Sequence, residues 1–376
     1  MKKFLALVLA LCMVFALAAC GQAAAPAAAP AEAAPAEAAP AEAAPAEAAP
    51  AEEAAASDLV ECDDVTLTFC CSAAESTCWA QMAKVFADYV NERTTGNFEV
   101  EIYAMDQLTN GSQTEGIQAV ADGTIDLSAH SNLIYSNFDQ RLNVVSLPFI
   151  FDSFDDVDAV LDGPGYDALA PIVEGMGLHL MGIAENGFRH VTNNVRPIET
   201  LEDMKGLVIR VAGAQVLKDE YEAWGTNYTT ANWSEVYTGL QTGTYEAQEN
   251  PLPTADASSI SDVQDYVTYW TGVYDCIFFT MNQELYDSFS PEMQALIDEA
   301  GAYAAADQRV KEREGDQEVL KKWADGGMTV SELSDEEVAK FKEAAAGVPA
   351  KFVQTCVDLG FDQAEVESMV AVFTGA

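Results

Sequence analysis

Apolar runs and helical repeats alternate along most of the chain. Runs of apolar or alternating residues predict strands at 65–71, 98–104, 125–129, 178–184, 207–211 and 276–281. In 78–94, Met82 and Phe86 recur at helical spacing, which predicts an amphipathic helix. Apolar strands that alternate with helices are typical of an α/β protein with buried sheets.

Two serines mark helix starts in the last third of the chain. Ser290 followed by Pro291 predicts the cap and first turn of a long helix. Ser334 with Glu337 three residues later predicts a capping box for a further helix. The sequence therefore predicts helices after the last apolar strand.

The first twenty residues resemble a bacterial lipoprotein signal. Lys2 and Lys3 precede an apolar run at 4–15, and small residues lead to Cys20. Cleavage would leave Cys20 as a lipid-carrying N-terminus on the outer face of the cytoplasmic membrane. A transmembrane anchor is the alternative, but the run is short for a membrane span.

Residues 21–57 consist almost entirely of Ala, Pro and Glu, with a five-residue Ala-Glu-Ala-Ala-Pro repeat. The regular prolines interrupt a helix, and the segment has no residues that could form a core. It is predicted to be a semi-stiff tether that reaches up to roughly 100 Å from the membrane if extended. The remainder, 58–376, is predicted to be the folded domain, and it is long enough for two lobes.

Charge and cysteine usage narrow the choice of partners. Acidic residues number 61 against 18 basic ones, for a net charge of −43, so nucleic acid and an anionic membrane surface are not expected to bind. The three histidines show no metal-ligand spacing, and neither a metal nor another cofactor is predicted. Besides Cys12 and Cys20, the chain has six cysteines without a CxxC pair, which leaves disulfides and buried thiols open.

One buried cation is predicted in the strand at 207–211, where Arg210 interrupts an apolar run. An arginine keeps its charge, and an unpaired buried cation costs several kcal/mol. Arg210 must therefore meet an anion. The residues alone leave open whether this anion is a protein carboxylate or a ligand.

Sequence patterns of common enzymes are missing from the chain. It has no GxSxG, no HExxH and no phosphate-binding glycine loop. A Ser-His-Asp triad with distant members leaves no such pattern, so a secreted hydrolase stays an alternative. No catalytic residue is predicted.

Several ordered segments carry a more specific signal. They are DGTID at 122–126, LPF at 147–149, ENGFRH at 185–190, RPI at 196–198, DMKGL at 203–207, IRV at 209–211, WSEVY at 233–237 and QENP at 248–251. In this order and spacing the chain resembles the extracytoplasmic solute receptors of TRAP transporters, the DctP family. Members of this family deliver mainly organic acids to membrane permease subunits.

The resemblance implies two α/β lobes that close over a ligand cleft, joined by crossing strands and braced by a long helix. Lobe I would comprise about 58–186 and 276–315, and lobe II about 187–275 and 316–376. The implied ligand residues of the second lobe are Arg210, which would bind a ligand carboxylate, with Arg189, Asn250 and Trp233. A surface ion pair for Arg189, a turn role for Asn250 and plain packing for Trp233 are the alternatives.

The ligand-binding positions of the first lobe follow less directly from the family resemblance. The cleft positions fall near Ser72, Gln113, Ser131 and Asn132, which are small and neutral here and could equally be loop residues. Phe149 is predicted to wall the cleft, with core filling as the alternative. The sequence thus predicts a lipid-anchored receptor that captures an organic acid for a TRAP permease. A ligand sensor for a membrane signalling protein is the alternative, and the acid and the oligomeric state stay open.

Overall fold

The computed structural model describes residues 59–375. The predicted signal at 1–20, the lipid-carrying Cys20 and the tether at 21–57 lie outside the described residues. Within the described residues, no helix combines the length and the apolar character that a membrane span requires.

The strands of the described residues are β1 (Val65–Cys71), β2 (Phe98–Tyr103), β3 (Leu127–Ser131), β4 (Leu178–Phe188), β5 (His190–Asn193), β6 (Val208–Val211), β7 (Asn227–Thr230), β8 (Ala247–Asn250), β9 (Tyr266–Tyr269), β10 (Tyr274–Asn282) and β11 (Thr329–Glu332). The helices of the same part of the chain are α1 (Cys78–Asn91), α2 (Gln113–Ala121), α3 (Asn132–Tyr135), α4 (Phe154–Leu161), α5 (Pro164–Glu174), α6 (Leu201–Met204), α7 (Gln215–Ala223), α8 (Trp233–Thr242), α9 (Leu252–Ala257), α10 (Gln283–Ser288), α11 (Pro291–Asp325), α12 (Asp335–Ala344), α13 (Val348–Asp358) and α14 (Gln363–Thr374).

Two mixed sheets organise these strands. The first sheet has the order β2-β1-β3-β10-β4, with β1 parallel to β2 and β3, and β10 antiparallel to β3 and β4. The second has the order β11-β9-β5-β8-β6-β7, with β5 antiparallel to β8 and β9. Each of the six predicted strands is present, and the α/β class is confirmed, because helices cover sheets of buried apolar strands.

The chain passes between the two sheets along two neighbouring strands. β4 ends at Phe188 and β5 begins at His190, so Arg189 alone separates a strand of the first sheet from one of the second. The return path from β9 to β10 runs beside it, and the Arg189 N–H donates to the Val273 carbonyl at 2.8 Å. These two antiparallel segments, β4 with β5 (178–193) and β9 with β10 (266–282), are called the crossing ribbon below. It places Arg189 at the junction of the two halves.

The long helix α11 braces both halves, as predicted. It contacts α1 and β4 beside the first sheet and α9 beside the second. Its start is also as predicted, because the Ser290 side chain accepts from the Met293 N–H ahead of Pro291. At the predicted capping box, Ser334 accepts from the Glu337 N–H, but the Glu337 carboxylate accepts from the Leu201 N–H instead of closing the box.

A glycine lets α11 approach β4 closely. A Cβ added at Gly301 would lie 2.5 Å from the Cβ of Met181, and 2.7 Å from its carbonyl oxygen. We expect Gly301→Ala to lower the free energy of unfolding by about 1 to 3 kcal/mol, because the helix must move off the strand. Urea denaturation of the two proteins measures this difference.

Gly315 provides a matched control on the same helix. A Cβ there would find its nearest neighbour, Pro253 Cγ, at an ordinary 3.5 Å. Gly315→Ala should therefore raise stability by up to about 1 kcal/mol through helix propensity alone. Equal effects of the two substitutions would contradict a close contact at Gly301.

The face of α11 toward α1 buries a carboxyl group. Cys78 Sγ donates to Glu312 Oε2 at 2.7 Å, while Glu312 Oε1 has no partner within the described residues. Burial raises the pKa of Glu312 to about 8, and the nearby carboxylates Glu185 and Asp316 add to this. The folded protein therefore keeps a proton on Glu312 at pH values where the unfolded chain has released it.

This raised pKa has a defined effect on stability. Between the ordinary value of 4.5 and about 8 the folded state binds more protons, so the contribution of Glu312 to stability falls as the pH rises. The slope is at most about 1.4 kcal/mol per pH unit. We expect Glu312→Gln to flatten the fall and to raise the free energy of unfolding at pH 8, measured by urea denaturation at several pH values.

The control for this prediction is Glu318→Gln, which changes an exposed carboxylate of the same helix. It should leave the pH profile of stability unchanged. Parallel profiles for the wild type and Glu312→Gln would mean that Glu312 is ionised in the folded protein throughout this range.

The cysteine alternatives can now be distinguished within the described residues. All the cysteines of this part are unpaired thiols, namely Cys62, Cys70, Cys71, Cys78, Cys276 and Cys356. Four of them are buried and the other two partly buried. Packing, and not disulfide bonding, accounts for them.

Candidate functional site

A cleft lies between the two sheets, at the carboxyl ends of strands from both. Ser72 follows β1, Ser131 ends β3, Ala212 follows β6 and Asn250 ends β8. Such strand ends are where open α/β sheets bind ligands. The cleft is open to solvent, and its outline encloses about 390 Å³ when the adjoining solvent space is included. Its lining residues are Ser72, Ala73, Trp79, Gln113, Ser131, Ile134, Asn186, Arg189, Arg210, Ala212, Trp233, Asn250, Thr254 and Asp275.

Arg210 is a buried cation without an anionic partner in residues 59–375. It is 2 % exposed, and its Nε and Nη2 atoms donate to the Ala231 carbonyl at 3.0 and 2.6 Å. Its Nη1 atom donates no hydrogen bond within the described part of the chain. Burial lowers the pKa of Arg210 to about 10, so the side chain is still charged at neutral pH. The outer edge of the guanidinium, Nη1 and Nη2, is free to bind two oxygens of one carboxylate.

The strand β6 explains this placement. Side chains alternate between the faces of a strand, and Ile209 and Val211 are fully buried in the core on one face. Arg210 therefore projects from the opposite face, toward Trp233. The Trp233 ring centre lies 5.8 Å from Arg210 Cζ, close enough for a cation–π contact.

Trp233 and Asn250 both line the cleft, as predicted. Trp233 opens α8 and also packs in the apolar cluster of the second sheet, so it is shared between cleft wall and core. The Asn250 amide nitrogen donates to Gln248 Oε1 at 2.9 Å, and its Oδ1 has no donor within the described residues. Asn250 Oδ1 can accept a hydrogen bond from a ligand hydroxyl.

Arg189 lines the cleft but is already paired with protein carboxylates. Its side chain is 3 % exposed and forms salt bridges with Glu249 and Asp275. Its Nη2 also donates to the Glu249 carbonyl at 2.9 Å. Burial opposes its charge, but Glu249 and Asp275 outweigh this and raise the pKa of Arg189. From the sequence, a surface ion pair was the alternative for Arg189. The ion pair is present, but it is buried and does not lie at the surface.

Asp275 is held by polar groups from three directions. Ser131 Oγ donates to its Oδ1 at 2.6 Å, and Asn186 Nδ2 donates to its Oδ2 at 2.7 Å, beside Arg189. Thr254 donates in turn to Asn186 Oδ1 at 2.8 Å. A hydrogen-bonded network therefore joins strands and helices of both sheets along the cleft floor.

The opposite wall is neutral. Ser72 and the first residue of α2, Gln113, line the cleft, and their side chains make no hydrogen bond within residues 59–375. Trp79 of α1 is 4 % exposed, and its indole Nε1 is a buried donor that lacks a partner within the described residues. These groups can donate to or accept from neutral oxygens of a ligand.

Two of the predicted ligand residues do not line the cleft. The Asn132 amide nitrogen donates to the Leu142 carbonyl and to Ser146, and its Oδ1 accepts from the Cys276 N–H, so its polar atoms serve the fold. Phe149 packs edge-on against Trp224 and Trp270 in the core. Phe149 is partly buried and packs against the core, and neither residue lines the cleft, so the structure does not support a ligand role for either of them.

Several lining residues were not predicted. Asn186 belongs to the ENGFRH segment but was given no role, and Asp275 was overlooked within β10. A charged residue inside an apolar strand was the signal that drew attention to Arg210, and the same signal was present at Asp275. Trp79 and Thr254 lie in the first turns of α1 and α9 and carry no comparable signal.

The structure also brings together three residue types that bind metals, which the sequence did not suggest. Cys70 Sγ lies 3.3 Å from Asp106 Oδ1, and His130 Nε2 lies 2.7 Å from the same oxygen. Closed structural zinc sites use four ligands, and this cluster of the described residues supplies three. Hydrogen bonds to Asp106 account for the arrangement.

A cleft between two sheets, with a buried unpaired cation and neutral polar walls, is typical of an extracytoplasmic solute-binding protein. The chain belongs to the DctP family, because the model of the bacterial extracellular solute-binding protein family 7 matches residues 69–355. The family prediction from sequence is confirmed.

Individual relatives agree with this assignment. A solute-binding protein of Verminephrobacter eiseniae is 33 % identical over 75 % of this chain and 83 % of its own length. The sugar acid binding protein DctPAm of Advenella mimigardefordensis, solved with galactonate, has a TM-score of 0.77 and 27 % identity over 83 % of this chain and 99 % of its own. A TRAP periplasmic solute binding protein of a Sulfitobacter species, solved with β-D-galacturonate, has a TM-score of 0.76 and 26 % identity over 82 % of this chain and all of its own. These relatives are solute-binding proteins and not enzymes.

Proposed function

We propose that this protein captures a small organic acid, with a sugar acid as the first candidate class, and delivers it to the membrane subunits of a TRAP transporter. The observation that carries the proposal is the buried Arg210, whose charge has no anionic partner in residues 59–375 while the outer edge of its guanidinium is unused. A carboxylate is the ligand group that this planar edge matches best. The galactonate and galacturonate bound by two relatives belong to this class.

The proposed mechanism is capture in an open form followed by closure. The carboxylate docks on Arg210, Asn250 accepts from a hydroxyl, and Ser72, Gln113 and Trp79 bind the remainder from the opposite wall. Lobe I, 58–186 and 276–315, then moves against lobe II, 187–275 and 316–376. Closure follows only if the ligand binds the closed form more tightly than the open form.

The proposed lobes are in contact at several places, and one of these lies at the surface beside the cleft residues Gln113 and Trp233. Ser234 Oγ of α8 donates to the Gly111 carbonyl at 3.4 Å, and a Cβ at Gly111 would approach Ser234 Oγ to 2.9 Å. The two halves are thus closely apposed here. In the proposed mechanism, this apposition corresponds to the closed form that the permease would recognise.

Anchoring belongs to the same proposal. Cys20 would carry the lipid that holds the receptor at the outer face of the cytoplasmic membrane, near the permease. A ligand sensor for a membrane signalling protein would use the same cleft, and a pull-down from solubilised membranes with the ligand present separates the two partners.

A thermal-shift screen tests the proposed ligand class. The purified protein is unfolded and refolded to remove carried-over ligand, and then melted with a library of organic acids and with neutral and cationic compounds. A concentration-dependent rise of the melting temperature with carboxylates is expected, because a ligand of the native state stabilises it by mass action. A rise with only neutral or cationic compounds would overturn the proposal.

A further inference from the structure

Few charged side chains line the cleft. Among its lining residues in the described part of the chain, Arg189 and Arg210 are cationic and Asp275 is anionic. A second anion, Glu249, lies behind the wall and forms a salt bridge with Arg189. The two positive and two negative charges cancel before any ligand enters.

The two arginines do not share this compensation equally. Arg189 uses four donations on Glu249 and Asp275, from its Nε, Nη1 and twice from its Nη2. One N–H of Nη1 is left over. Arg210 has no salt bridge within the described residues and donates only to a neutral carbonyl. One cation in the cleft is therefore available to a ligand carboxylate, and the other is not.

A strand irregularity sets Asp275 in this position. Asp275 is paired with Gly187, and the next residue, Cys276, is paired with Glu185, so Asn186 is an extra residue in β4. Such a bulge turns side chains out of the regular alternation and is frequent beside functional sites. It brings Asn186 and Asp275 together on the cleft floor, 2.7 Å apart between Nδ2 and Oδ2.

We propose that the cleft selects a monocarboxylate with a neutral, hydroxylated remainder, and that Asp275 excludes acids with a second carboxylate. The inference rests on the proposed function, in which Arg210 binds the first carboxylate. It adds that the ligand carries a single negative charge and that one residue of this chain enforces the limit.

The physical reason is the cost of an unpaired buried charge. A second carboxylate would leave water and face Ser72, Gln113 and Trp79, which offer dipoles but no positive charge. Asp275 would repel it, and Arg189 could not offset this because two carboxylates already compensate its charge. A hydroxyl at the same place would instead find donors and acceptors without a charge penalty.

Matched acid pairs test the proposal on the wild-type protein. Glycerate and tartronate, gluconate and glucarate, and galactonate and galactarate differ within each pair only by a terminal hydroxymethyl or carboxylate group. Isothermal titration calorimetry at neutral pH should show that the diacid binds at least about tenfold more weakly than the monoacid in each pair that binds, since juxtaposed like charges oppose association.

A substitution then assigns the effect to Asp275. Asp275→Asn removes one of the two carboxylates that pair with Arg189, so the positive charge of Arg189 is less fully compensated. The ratio of monoacid to diacid affinity should fall by roughly tenfold toward equality. The matched control is Asp256→Asn, whose carboxylate pairs with Lys322 and Trp323 on α11 and should leave the ratio unchanged.

Each outcome decides a different point. If the wild type binds the diacids as tightly as the monoacids and Arg210→Ala loses both, the charge limit is overturned while the proposed function stands. If the wild type prefers monoacids but Asp275→Asn keeps the same ratio, the role of Asp275 is overturned. If no acid of either kind binds, the proposed function falls and the inference falls with it. The wild-type comparison decides even if Asp275→Asn does not fold.

Discussion

Replacing Arg210 by alanine is expected to weaken binding of the acid found in the screen by about 3 to 5 kcal/mol. The loss is large because the ligand carboxylate would stay buried in the cleft without its cation. The free protein should be no less stable than the wild type, since removal of an uncompensated buried charge offsets the lost donations to the Ala231 carbonyl. Titration calorimetry measures the affinity, and urea denaturation measures the stability.

Two further variants sharpen this test. Arg93→Ala removes an arginine whose partner is its exposed neighbour Glu92, so it matches the charge change and should leave affinity unaltered. Arg210→Lys keeps the charge but loses the planar pair of donors, and an intermediate affinity is expected. Unchanged affinity in Arg210→Ala would mean that the ligand carboxylate, if there is one, binds elsewhere.

The other arginine of the cleft should behave differently. Arg189→Ala is expected to lower the free energy of unfolding of the ligand-free protein by about 3 to 5 kcal/mol, because it leaves Glu249 and Asp275 buried without their common cation. Urea denaturation without ligand measures this loss directly. Binding cannot account for it, because no ligand is present.

The comparison that isolates this effect uses an arginine that is only partly buried. Arg141→Ala breaks a pair with Asp139 that is partly exposed, and it should cost at most about 1 kcal/mol. If Arg189→Met combined with Asp275→Asn recovers stability relative to Arg189→Ala, the loss came from the unpaired carboxylates. A variant Arg189→Ala that loses affinity but no stability would instead make Arg189 a ligand group.

Much of the fold could be predicted because it depends on local pattern. Apolar strands such as β1 and β10, and the start of α11, are encoded by consecutive residues. Strand ends were less accurate, and the strand predicted at 125–129 is β3, Leu127–Ser131. The order of strands in each sheet was not predicted, because pairing depends on residues far apart in the sequence.

The site was predictable where a residue conflicts with its surroundings. Arg210 stands out in an apolar strand, and the structure places it in the cleft. Asn132 carries no such conflict, and its hydrogen bonds to Leu142, Ser146 and Cys276 depend on contacts that sequence does not reveal. Ion pairs have the same limitation, since nothing in the sequence around Glu249 or Asp275 indicates that Arg189 is the partner.

The crossing ribbon also has a mechanical consequence. Hydrogen bonds between the two segments of the ribbon resist sliding but allow bending. We therefore expect the ribbon to act as a hinge about which the two halves rotate. Contacts that join the halves away from it, such as that between Gly111 and Ser234, must then break on opening. Arg189 and Asp275 lie in the ribbon itself, so we expect their ion pair to persist in both the open and the closed form of the proposed mechanism. Each incoming solute would then meet the same arrangement of charges.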